Sequence, residues 1–254
     1  KLAKLNIKLP ILYAGNKSCQ DEIHQILSEV NHDVRISANV MPSYGVLNVE
    51  SARDQIRACF LEQIIEAKGL STLTSIVQDI IMPTPASVLD ALSLLAYGTK
   101  QEKGLGDLMA VDVGGATTDV YSLTSSQAPP SGVQIKGLIE PLVKRSVEGD
   151  LGLRISAKHV LDLDLELQSN KDLSLYVDKV VQEIHGSSNS IYDEKLAAAC
   201  VRIASRRHAG RLEQIYTSMG LETIQYGKDL RSLKTLIGIG GPIVYAVEPS
   251  HILN

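Results

Sequence analysis

A glycine turn between two short apolar runs constrains this chain more than any other stretch of its sequence. One apolar run ends at Asp112, Gly114 and Gly115 follow it, and a second apolar run begins after Asp119. Two strand-like runs joined by a glycine pair predict a tight hairpin. Glycine leaves backbone N–H groups open to close approach by a ligand, and a concave set of such groups binds anions.

Two acids and two hydroxyl side chains flank this turn. The acids are Asp112 and Asp119, and the hydroxyl groups belong to Thr117 and Thr118. Mg²⁺ prefers carboxylate oxygen and keeps part of its water, so the combination suits a nucleotide phosphate with its Mg²⁺. The alternative is an ordinary hairpin, with glycine for the turn and threonine for strand propensity. An acid on each side is more than such a turn requires.

Composition excludes several classes of function. The chain has 254 residues, with 44% apolar and 21% charged residues, values typical of a globular protein of one large or two modest domains. A net charge of −4 without a basic stripe predicts no nucleic-acid partner. The sequence shows no signal peptide and no apolar run of spanning length, so we expect no membrane contact. Cys19, Cys59 and Cys200 match neither a metal spacing nor a disulfide framework, which indicates a cytoplasmic location.

The ends of the chain predict a fragment of a larger protein. The sequence begins with Lys1 instead of Met and runs almost directly into a strand. It stops at Asn254, just after an apparent helix start.

The first third of the chain predicts a layered α/β unit. A strand over residues 10–14, a helix over 21–30 and a strand over 33–40 form a strand–helix–strand pattern. A long helix over 51–70 and a strand over 75–82 follow. The inward residues of the long helix would be Ile56, Phe60, Ile64, Ile65 and Ala67.

A proline-threonine segment opens the next predicted helix. Thr84 occupies a plausible N-cap and Pro85 the first helical position, and the helix ends near Gly98. Residues 99–106 are a polar, glycine-containing linker, and we expect the boundary between two lobes there. The apolar face of the helix would consist of Val88, Leu89, Leu92, Leu95 and Ala96.

The rest of the chain predicts more helices and two further strands. A loop covers residues 124–132, one strand lies within 137–147, and a helix begins at about Leu151. Helices are also predicted over 157–167, 173–184 and 192–219. A last strand over 232–239 leads through Gly240 and Gly241 into a helix, which is a second place where backbone can approach a ligand.

Several other charged residues allow both a structural and a functional interpretation. Glu148 and Asp150 surround a glycine, where acids commonly favour a helix N-terminus. Arg202 and Arg206 belong to a basic cluster that is either a solvated helix face or a contact to ribose, adenine or phosphate. The histidines show no metal spacing, and no Ser-His-Asp signature is present.

The order of these features resembles the actin-like ATPase superfamily, which includes sugar kinases, actin and the heat-shock chaperone ATPases. A Pro-Thr helix over 83–98 precedes the D-x-G-G-x-T-x-D hairpin over 112–119, and a strand–GG–helix over 236–245 closes the series. In that superfamily the hairpin is the second phosphate loop, the GG segment is the adenosine loop, and the Pro-Thr helix crosses between lobes. The resemblance implies an α/β, actin-like (ribonuclease H-like) ATPase fold with mixed sheets flanked by helices, here an incomplete two-lobe fragment. Residues 1–98 would end the first lobe and include the inter-lobe helix, and residues 99–254 would form the second, nucleotide-binding lobe.

Four stretches resemble the MutL/GlmL family in particular. They are VDVGGATTDV in the hairpin, RSVEGDLGLR over 145–154, RRHAG over 206–210 and IGIGGPIV over 237–244. These are glutamate-mutase MutL proteins, unrelated to the mismatch-repair proteins of that name. The resemblance implies an ATP-binding, chaperone-like reactivating factor that uses ATP hydrolysis to exchange damaged cobalamin in an adenosylcobalamin-dependent aminomutase. Glutamate mutase and D-ornithine aminomutase are examples of the partners that the resemblance implies.

The resemblance also implies roles for individual residues in binding ATP or ADP with Mg²⁺. Asp112 would hold Mg²⁺ through water, and Asp119 would order water or a cation nearby. Gly240 and Gly241 would lie under the adenosine. The phosphate cradle would consist of Gly114, Gly115, Ala116, Thr117 and Thr118. Arg202 and Arg206 are further candidates on the ribose–adenine side.

The sequence departs from the superfamily pattern in two places. The first phosphate loop, an acid-x-Gly hairpin, is absent from these residues, and the chaperone ATPases' Glu before the Pro-Thr helix is replaced by Met82 and Thr84. Glu148 and Asp150 are therefore the remaining candidates for a general base. Phosphoryl transfer needs charge on both sides of the phosphates, so we expect this fragment alone to be inactive. A small-molecule kinase and a non-catalytic nucleotide-binding regulator are the alternatives.

Overall fold

Contacts within the chain divide it into two units. Lys1–Met82 form the first and Pro83–Asn254 the second. The computed structural model describes residues 10–30, 32–67, 84–125, 131–138, 140–183, 190–218 and 220–254. This division precedes the helix that begins at Thr84, whereas the sequence predicts a lobe boundary after that helix. The assignment of residues to lobes stays a prediction, since the units are defined by contacts within this chain alone.

The first unit contains the predicted strand–helix–strand pattern. Strand β1 (Ile11–Tyr13) and strand β2 (Val34–Ile36) pair in parallel, with helix α1 (Gln20–Ser28) between them in the chain. A parallel pair needs such a crossover connection, which the sequence supplies. Strand β2 is shorter than the predicted 33–40. The strand predicted over 75–82 lies outside the described residues.

Helix α2 (Glu50–Ala67) exists as predicted, but its expected inward face is wrong where the structure describes it. Ile56 is 59% exposed and Phe60 is 51% exposed, while the small Ala52 is buried. Arg35 of β2 pairs with Glu62 of this helix, so part of its contact is ionic. The side chains of Ile64, Ile65 and Ala67 lie outside the described residues. Apolar spacing identifies a helix, but it does not show which side a neighbouring element covers.

A four-stranded mixed sheet forms the centre of the second unit. Its order is β6-β4-β3-β9, where β3 is Leu108–Val113, β4 is Thr118–Leu123, β6 is Val143–Glu148 and β9 is Thr235–Ile239. Strands β3 and β4 form the predicted antiparallel hairpin, β6 pairs antiparallel with β4, and β9 pairs parallel with β3. In this register Asp112 lies between Asp119 on one side and Ile239 on the other.

Helices cover both faces of this sheet. Val111, Val113 and Val120 belong to one apolar cluster with residues of the helical region, and Leu108 belongs to another cluster that includes Leu92. Every residue of β4 is buried, as expected for a strand covered on both faces. The helices of the second unit are α3 (Thr84–Tyr97), α4 (Ala157–Leu163), α5 (Leu165–Gln168), α6 (Lys171–Gln182), α7 (Ser190–His208), α8 (Gly241–Val244) and α9 (Pro249–Leu253). This arrangement confirms the α/β class with mixed sheets flanked by helices.

Helix α3 buries most of the face that the sequence predicts. Leu92 and Ala96 are buried against the sheet, and Val88 and Leu89 pack beside them. Leu95 is 47% exposed, so its predicted inward position is wrong. Among the helices that the structure describes, none combines the length and apolar character that crossing a bilayer requires.

A second, three-stranded sheet replaces the C-terminal part of a predicted helix. Helix α7 ends at His208, and strands β7 (Arg211–Thr217) and β8 (Gly220–Tyr226) form an antiparallel hairpin joined by β5 (Val133–Lys136). The prediction of a helix over 192–219 is therefore wrong after residue 208. Gly210 explains the change of direction, because a Cβ there would lie 2.4 Å from the Tyr226 carbonyl oxygen. The chain turns where only glycine permits that close approach.

The helix predicted from about Leu151 is also wrong. Residues 151–156 form a loop, and helix α4 begins only at Ala157. A Cβ on Gly152 would lie 2.5 Å from the carbonyl carbon of Ala116, so this loop packs closely against the hairpin turn.

Candidate functional site

The loop over residues 151–156 binds the carbonyl groups of the hairpin turn. The Leu153 N–H donates to the Gly114 carbonyl at 3.1 Å, and the Arg154 N–H donates to the Gly115 carbonyl at 2.7 Å. The Ser156 hydroxyl donates to the Ala116 carbonyl at 2.7 Å. These bonds fix the carbonyl side of the turn against the loop.

The N–H side of the same turn is largely unused. The Gly114 N–H, predicted to face a phosphate, instead donates to the Thr117 carbonyl at 2.9 Å and closes the turn. The N–H groups of Gly115, Ala116 and Thr117 have no hydrogen-bond partner among the described residues. Backbone N–H groups that point away from their own fold form an anion-binding concavity. The structure therefore brings together the donors that the sequence predicts, with Thr117 in place of Gly114.

The corner between β9 and α8 meets the end of β3 at Gly240. Gly240 has a φ of +93°, and a Cβ there would lie 2.3 Å from the Val113 carbonyl oxygen and 2.8 Å from Oδ1 of Asp112. Only glycine combines this backbone conformation with so close an approach. The predicted GG segment thus lies directly beside the predicted metal-binding carboxylate.

A cleft of about 430 Å³ joins the two glycine segments. One wall contains Gly115, and another contains Gly241 at the start of α8. A volume of this size is within the range of small-molecule sites. The residues that line the cleft are Gly115, Leu153, Arg154, Asp193, Glu194, Gly241, Pro242, Tyr245 and Ala246.

The two acids of the hairpin differ in their partners. Asp119 is 8% exposed and accepts hydrogen bonds from Arg145, at 2.8 Å from Nε and 2.6 Å from Nη2. Asp112 is half-buried and forms no hydrogen bond or ion pair with any described residue. Burial, together with the nearby charge of Asp119, raises the pKa of Asp112. A carboxylate that is costly to ionise without a counter-charge is suited to a cation ligand.

The two threonines also have separate roles. Thr118 is fully buried, and its hydroxyl donates to the Leu151 carbonyl at 2.9 Å, so it binds the loop over residues 151–156 and is not available to a ligand. Thr117 is half-buried, and its hydroxyl forms no hydrogen bond with any described residue. Of the two, Thr117 has the hydroxyl that is available to a ligand.

Glu148 and Asp150, the candidate bases, are both held by Arg207. Nη1 of Arg207 lies 2.7 Å from Glu148, and the guanidinium contacts both carboxylate oxygens of Asp150 at 2.8 and 3.0 Å. This hydrogen bonding lowers the pKa of Asp150. A carboxylate stabilised in its charged form is a weak base.

The structure does not bring Arg202 and Arg206 to the cleft. Arg202 pairs with Asp164 and lines a separate surface depression with Lys195. Arg206 is exposed on α7 and does not line the cleft. For both residues, a solvated helix face fits the structure better than a ribose contact.

Four charged or aromatic residues of the cleft lining were not predicted as site residues: Arg154, Asp193, Glu194 and Tyr245. Arg154 and Asp193 form a two-bond ion pair at 2.8 and 3.0 Å, which raises the pKa of Arg154. Oε1 of Glu194 accepts from the Val247 N–H at 3.0 Å. Tyr245 is 87% exposed. The available signal was position in the chain, since Arg154 lies in the loop over residues 151–156 that binds the turn and Tyr245 follows the glycine pair by one helical turn.

Among the described residues, no group of three His, Cys, Asp or Glu side chains could hold a metal ion. A Mg²⁺ ion bound by one carboxylate, water and phosphate oxygens needs no such group. Asp112 therefore fits that mode of binding.

Comparison with known proteins identifies the family. The family model described as "MutL protein" matches residues 1–254. Protein MutL of Clostridium tetanomorphum is 42% identical to this chain over an alignment 266 residues long. The alignment covers 100% of this chain and 57% of that protein. This chain thus spans a little more than half the length of that relative. No solved structure matches the chain. The chain belongs to the MutL family.

Proposed function

We propose that this chain is the nucleotide-binding part of an ATP-dependent, chaperone-like reactivating factor for an adenosylcobalamin-dependent aminomutase. One observation carries the nucleotide part of the proposal: one cleft is lined by Gly115 of the hairpin turn, whose N–H is free among the described residues, and by Gly241 of the glycine pair after β9. Asp112 lies next to Gly240 of the same pair. Phosphates would bind the N–H groups of Gly115 and Ala116, and the adenosine would lie toward Gly241. The mixed sheet flanked by helices is compatible with the actin-like ATPase fold that we propose.

Mg²⁺ would reach this cleft together with the nucleotide. Asp112 would orient the metal's water ligands, and the metal would supply charge that neutralises the phosphates. Arg145 already neutralises Asp119, so Asp112 is the acid that a cation would satisfy. Neither Glu148 nor Asp150 is free to act as a base, because Arg207 holds both. We therefore assign nucleotide binding to this chain and ATP hydrolysis to the whole protein.

The partner in this proposal rests on family membership. Proteins of the MutL family are associated with glutamate mutase, and nucleotide-dependent closure of a cleft is a common way to transmit a state to a partner. Three unpaired cysteines, Cys19, Cys59 and Cys200, support a cytoplasmic setting for such a complex.

Calorimetry with Mg·ATP tests the nucleotide site in the full-length protein. We expect Asp112→Ala to weaken Mg·ATP binding by about tenfold or more, because a charged hydrogen-bonding group is lost. With EDTA present, wild type and Asp112→Ala should bind ATP equally, since the carboxylate acts through the metal. The control Asp178→Ala removes an exposed acid outside the cleft and should leave binding unchanged. Absence of Mg·ATP binding to the wild type would refute the nucleotide proposal.

Co-purification tests the partner. The full-length protein is incubated with candidate adenosylcobalamin-dependent aminomutases, with and without ATP. We expect nucleotide-dependent association and recovery of inactivated mutase. If neither occurs with any candidate mutase, the partner proposal fails while the nucleotide proposal stands.

A non-catalytic nucleotide-binding regulator is the second candidate function. The ion pairs of Glu148 and Asp150 with Arg207 favour it, because they leave neither candidate base free to activate water. An ATPase assay of the full-length protein distinguishes the two functions, since the regulator would bind Mg·ATP without turnover.

A further inference from the structure

A second cavity, of about 470 Å³, lies at the opposite end of helix α7 from the nucleotide cleft. The cleft is lined by Asp193 and Glu194 near the N-terminus of this helix, whereas the second cavity is lined by Ala209 and Gly210, which follow its last residue. A helix of 19 residues is about 28 Å long, so the two sites are well separated.

Gln225 on the wall of this cavity has a buried hydrogen-bond acceptor for which the described residues supply no donor. The residue is 6% exposed, and the acceptor is its Oε1. Its Nε2 donates to the Gly227 carbonyl at 3.1 Å, which fixes the orientation of the amide, because a flipped amide would place two acceptors together. A buried acceptor without a donor costs about 1–3 kcal/mol. The strand therefore keeps a polar side chain where an apolar one would be more stable.

Lys228, on the same wall, is a buried cation without a carboxylate partner in the part of the chain that the structure describes. It is 5% exposed, and its Nζ donates to the carbonyl groups of Ser122 at 3.1 Å and Leu142 at 2.6 Å. An ammonium group has three donors, so one remains unused among the described residues. Burial and the positive charge of Lys144 lower the pKa of Lys228 to about 8. An anion nearby would relieve this cost.

The remaining lining indicates the charge and shape of a ligand. Arg211, Lys228 and Arg231 are positive, and Asp229 is the one acid in the described lining. Each arginine forms hydrogen bonds with one nearby carboxylate and retains further N–H donors. Apolar side chains complete the wall, namely Leu212 and Leu230. Such a lining suits an anion with a short aliphatic part.

We propose that this second cavity binds a small organic carboxylate that carries a hydroxyl or amino group on the neighbouring carbon. The carboxylate would lie among the cationic side chains, and the hydroxyl or amino group would donate to Oε1 of Gln225. The aliphatic part would contact Leu212 and Leu230. This proposal does not depend on ATP binding at the cleft.

Four probes of one size test the ligand chemistry by calorimetry on the full-length protein. Leucine and 2-hydroxy-4-methylpentanoate carry both groups, 4-methylpentanoate lacks the donor, and leucinamide lacks the carboxylate. We expect leucine or the hydroxy acid to bind about fivefold more tightly than 4-methylpentanoate, the effect of one hydrogen bond, and leucinamide not to bind. Whichever of the two binds identifies the donor as amino or hydroxyl. No binding of any probe at about 10 mM overturns the proposal.

Two variants locate the bound probe. Gln225→Leu should remove the fivefold preference over 4-methylpentanoate while leaving the binding of 4-methylpentanoate itself unchanged. Arg231→Gln should weaken every carboxylate probe, and because the Arg231 side chain is exposed, the substitution removes no buried packing. The matched control Gln214→Leu changes an exposed glutamine of β7 outside the cavity and should alter nothing. Two results would refute the assignment of Gln225 as the acceptor. One is a fivefold preference that persists in Gln225→Leu when circular dichroism shows the variant to be folded. The other is loss of the preference in Gln214→Leu.

Discussion

Acidification should destabilise the second unit through His208. This residue is 1% exposed, and both ring nitrogens have hydroxyl partners, Ser146 at 2.7 Å from Nδ1 and Ser122 at 2.8 Å from Nε2. Burial, with the positive charges of Lys144 and Lys228, lowers the pKa of His208 to about 4 from an ordinary value of 6.5. The folded protein therefore keeps this ring neutral under conditions in which the unfolded chain protonates it.

The size of the effect follows from this difference in pKa. Between pH 6.5 and pH 4 the unfolded chain binds a proton that the folded chain excludes, so stability falls as the pH falls through this window. The stabilisation is fully present above pH 6.5 and is lost below pH 4. A difference of about 2.5 pKa units corresponds to about 3 kcal/mol at about 1.4 kcal/mol per unit. That is a large part of the stability of an ordinary domain.

Urea unfolding followed by circular dichroism at about pH 7 and about pH 4.5 measures the loss. His208→Gln keeps a hydrogen-bonding side chain but cannot take up the proton, so its stability should fall by about 2 kcal/mol less than that of the wild type over this interval. His159→Gln, an exposed histidine on α4, is the matched control and should behave as the wild type. If His208→Gln loses as much stability as the wild type on acidification, the reasoning is refuted.

Three further predictions concern packing around the site. Leu108→Ala empties a fully buried position and should reduce the free energy of unfolding by about 2–5 kcal/mol in urea titrations, whereas Leu94→Ala on an exposed face should change it by less than about 0.5 kcal/mol. Thr118→Val removes the hydroxyl bond to the Leu151 carbonyl and should cost about 1–3 kcal/mol, with faster amide hydrogen exchange in the turn-binding loop. Gly240→Ala should cost at least about 2 kcal/mol by the same titrations, because it combines a positive φ with a clash against β3; unchanged stability would contradict the described corner.

The parts of the fold that the sequence predicts are those with a local cause. The hairpin follows from two apolar runs around Gly114 and Gly115, and the corner at Gly240 follows from a strand that ends in a glycine pair. Glycine in such turns is required by backbone geometry alone, so the signal is contained in a few neighbouring residues. The strand–helix–strand unit also has a local cause. Its apolar residues recur at the short, regular spacings of strands and helices, so a few neighbouring residues identify each element.

The parts that the sequence does not predict depend on distant residues. Helix α7 ends at His208 because Gly210 must approach the backbone of Tyr226, which lies in a strand that has not yet appeared in the chain. Leu212 and Ile215 keep a helical spacing even though they lie in β7, so periodicity alone gave the wrong element.

The candidate site shows the same limit. The turn, Asp112 and the GG corner come from local motifs, whereas the ion pair between Arg154 and Asp193 joins residues far apart in the chain. Arg207 likewise reaches Glu148 and Asp150 only through the fold. Which carboxylates remain free is therefore decided by tertiary contacts and not by composition near the motif.

The bonds between the turn's carbonyl groups and residues 153–156 have a consequence for how a nucleotide would be sensed. Because those oxygens are already engaged, the peptide planes at Gly115 and Ala116 cannot rotate without breaking two or more hydrogen bonds. The donors are thus oriented before any phosphate arrives, and little ordering entropy remains to be lost on binding. Arrival or departure of a nucleotide should leave the turn's own conformation almost unaltered. A partner would then detect the nucleotide through a displacement of intact helices and strands, and not through local unfolding of the turn that binds the phosphates.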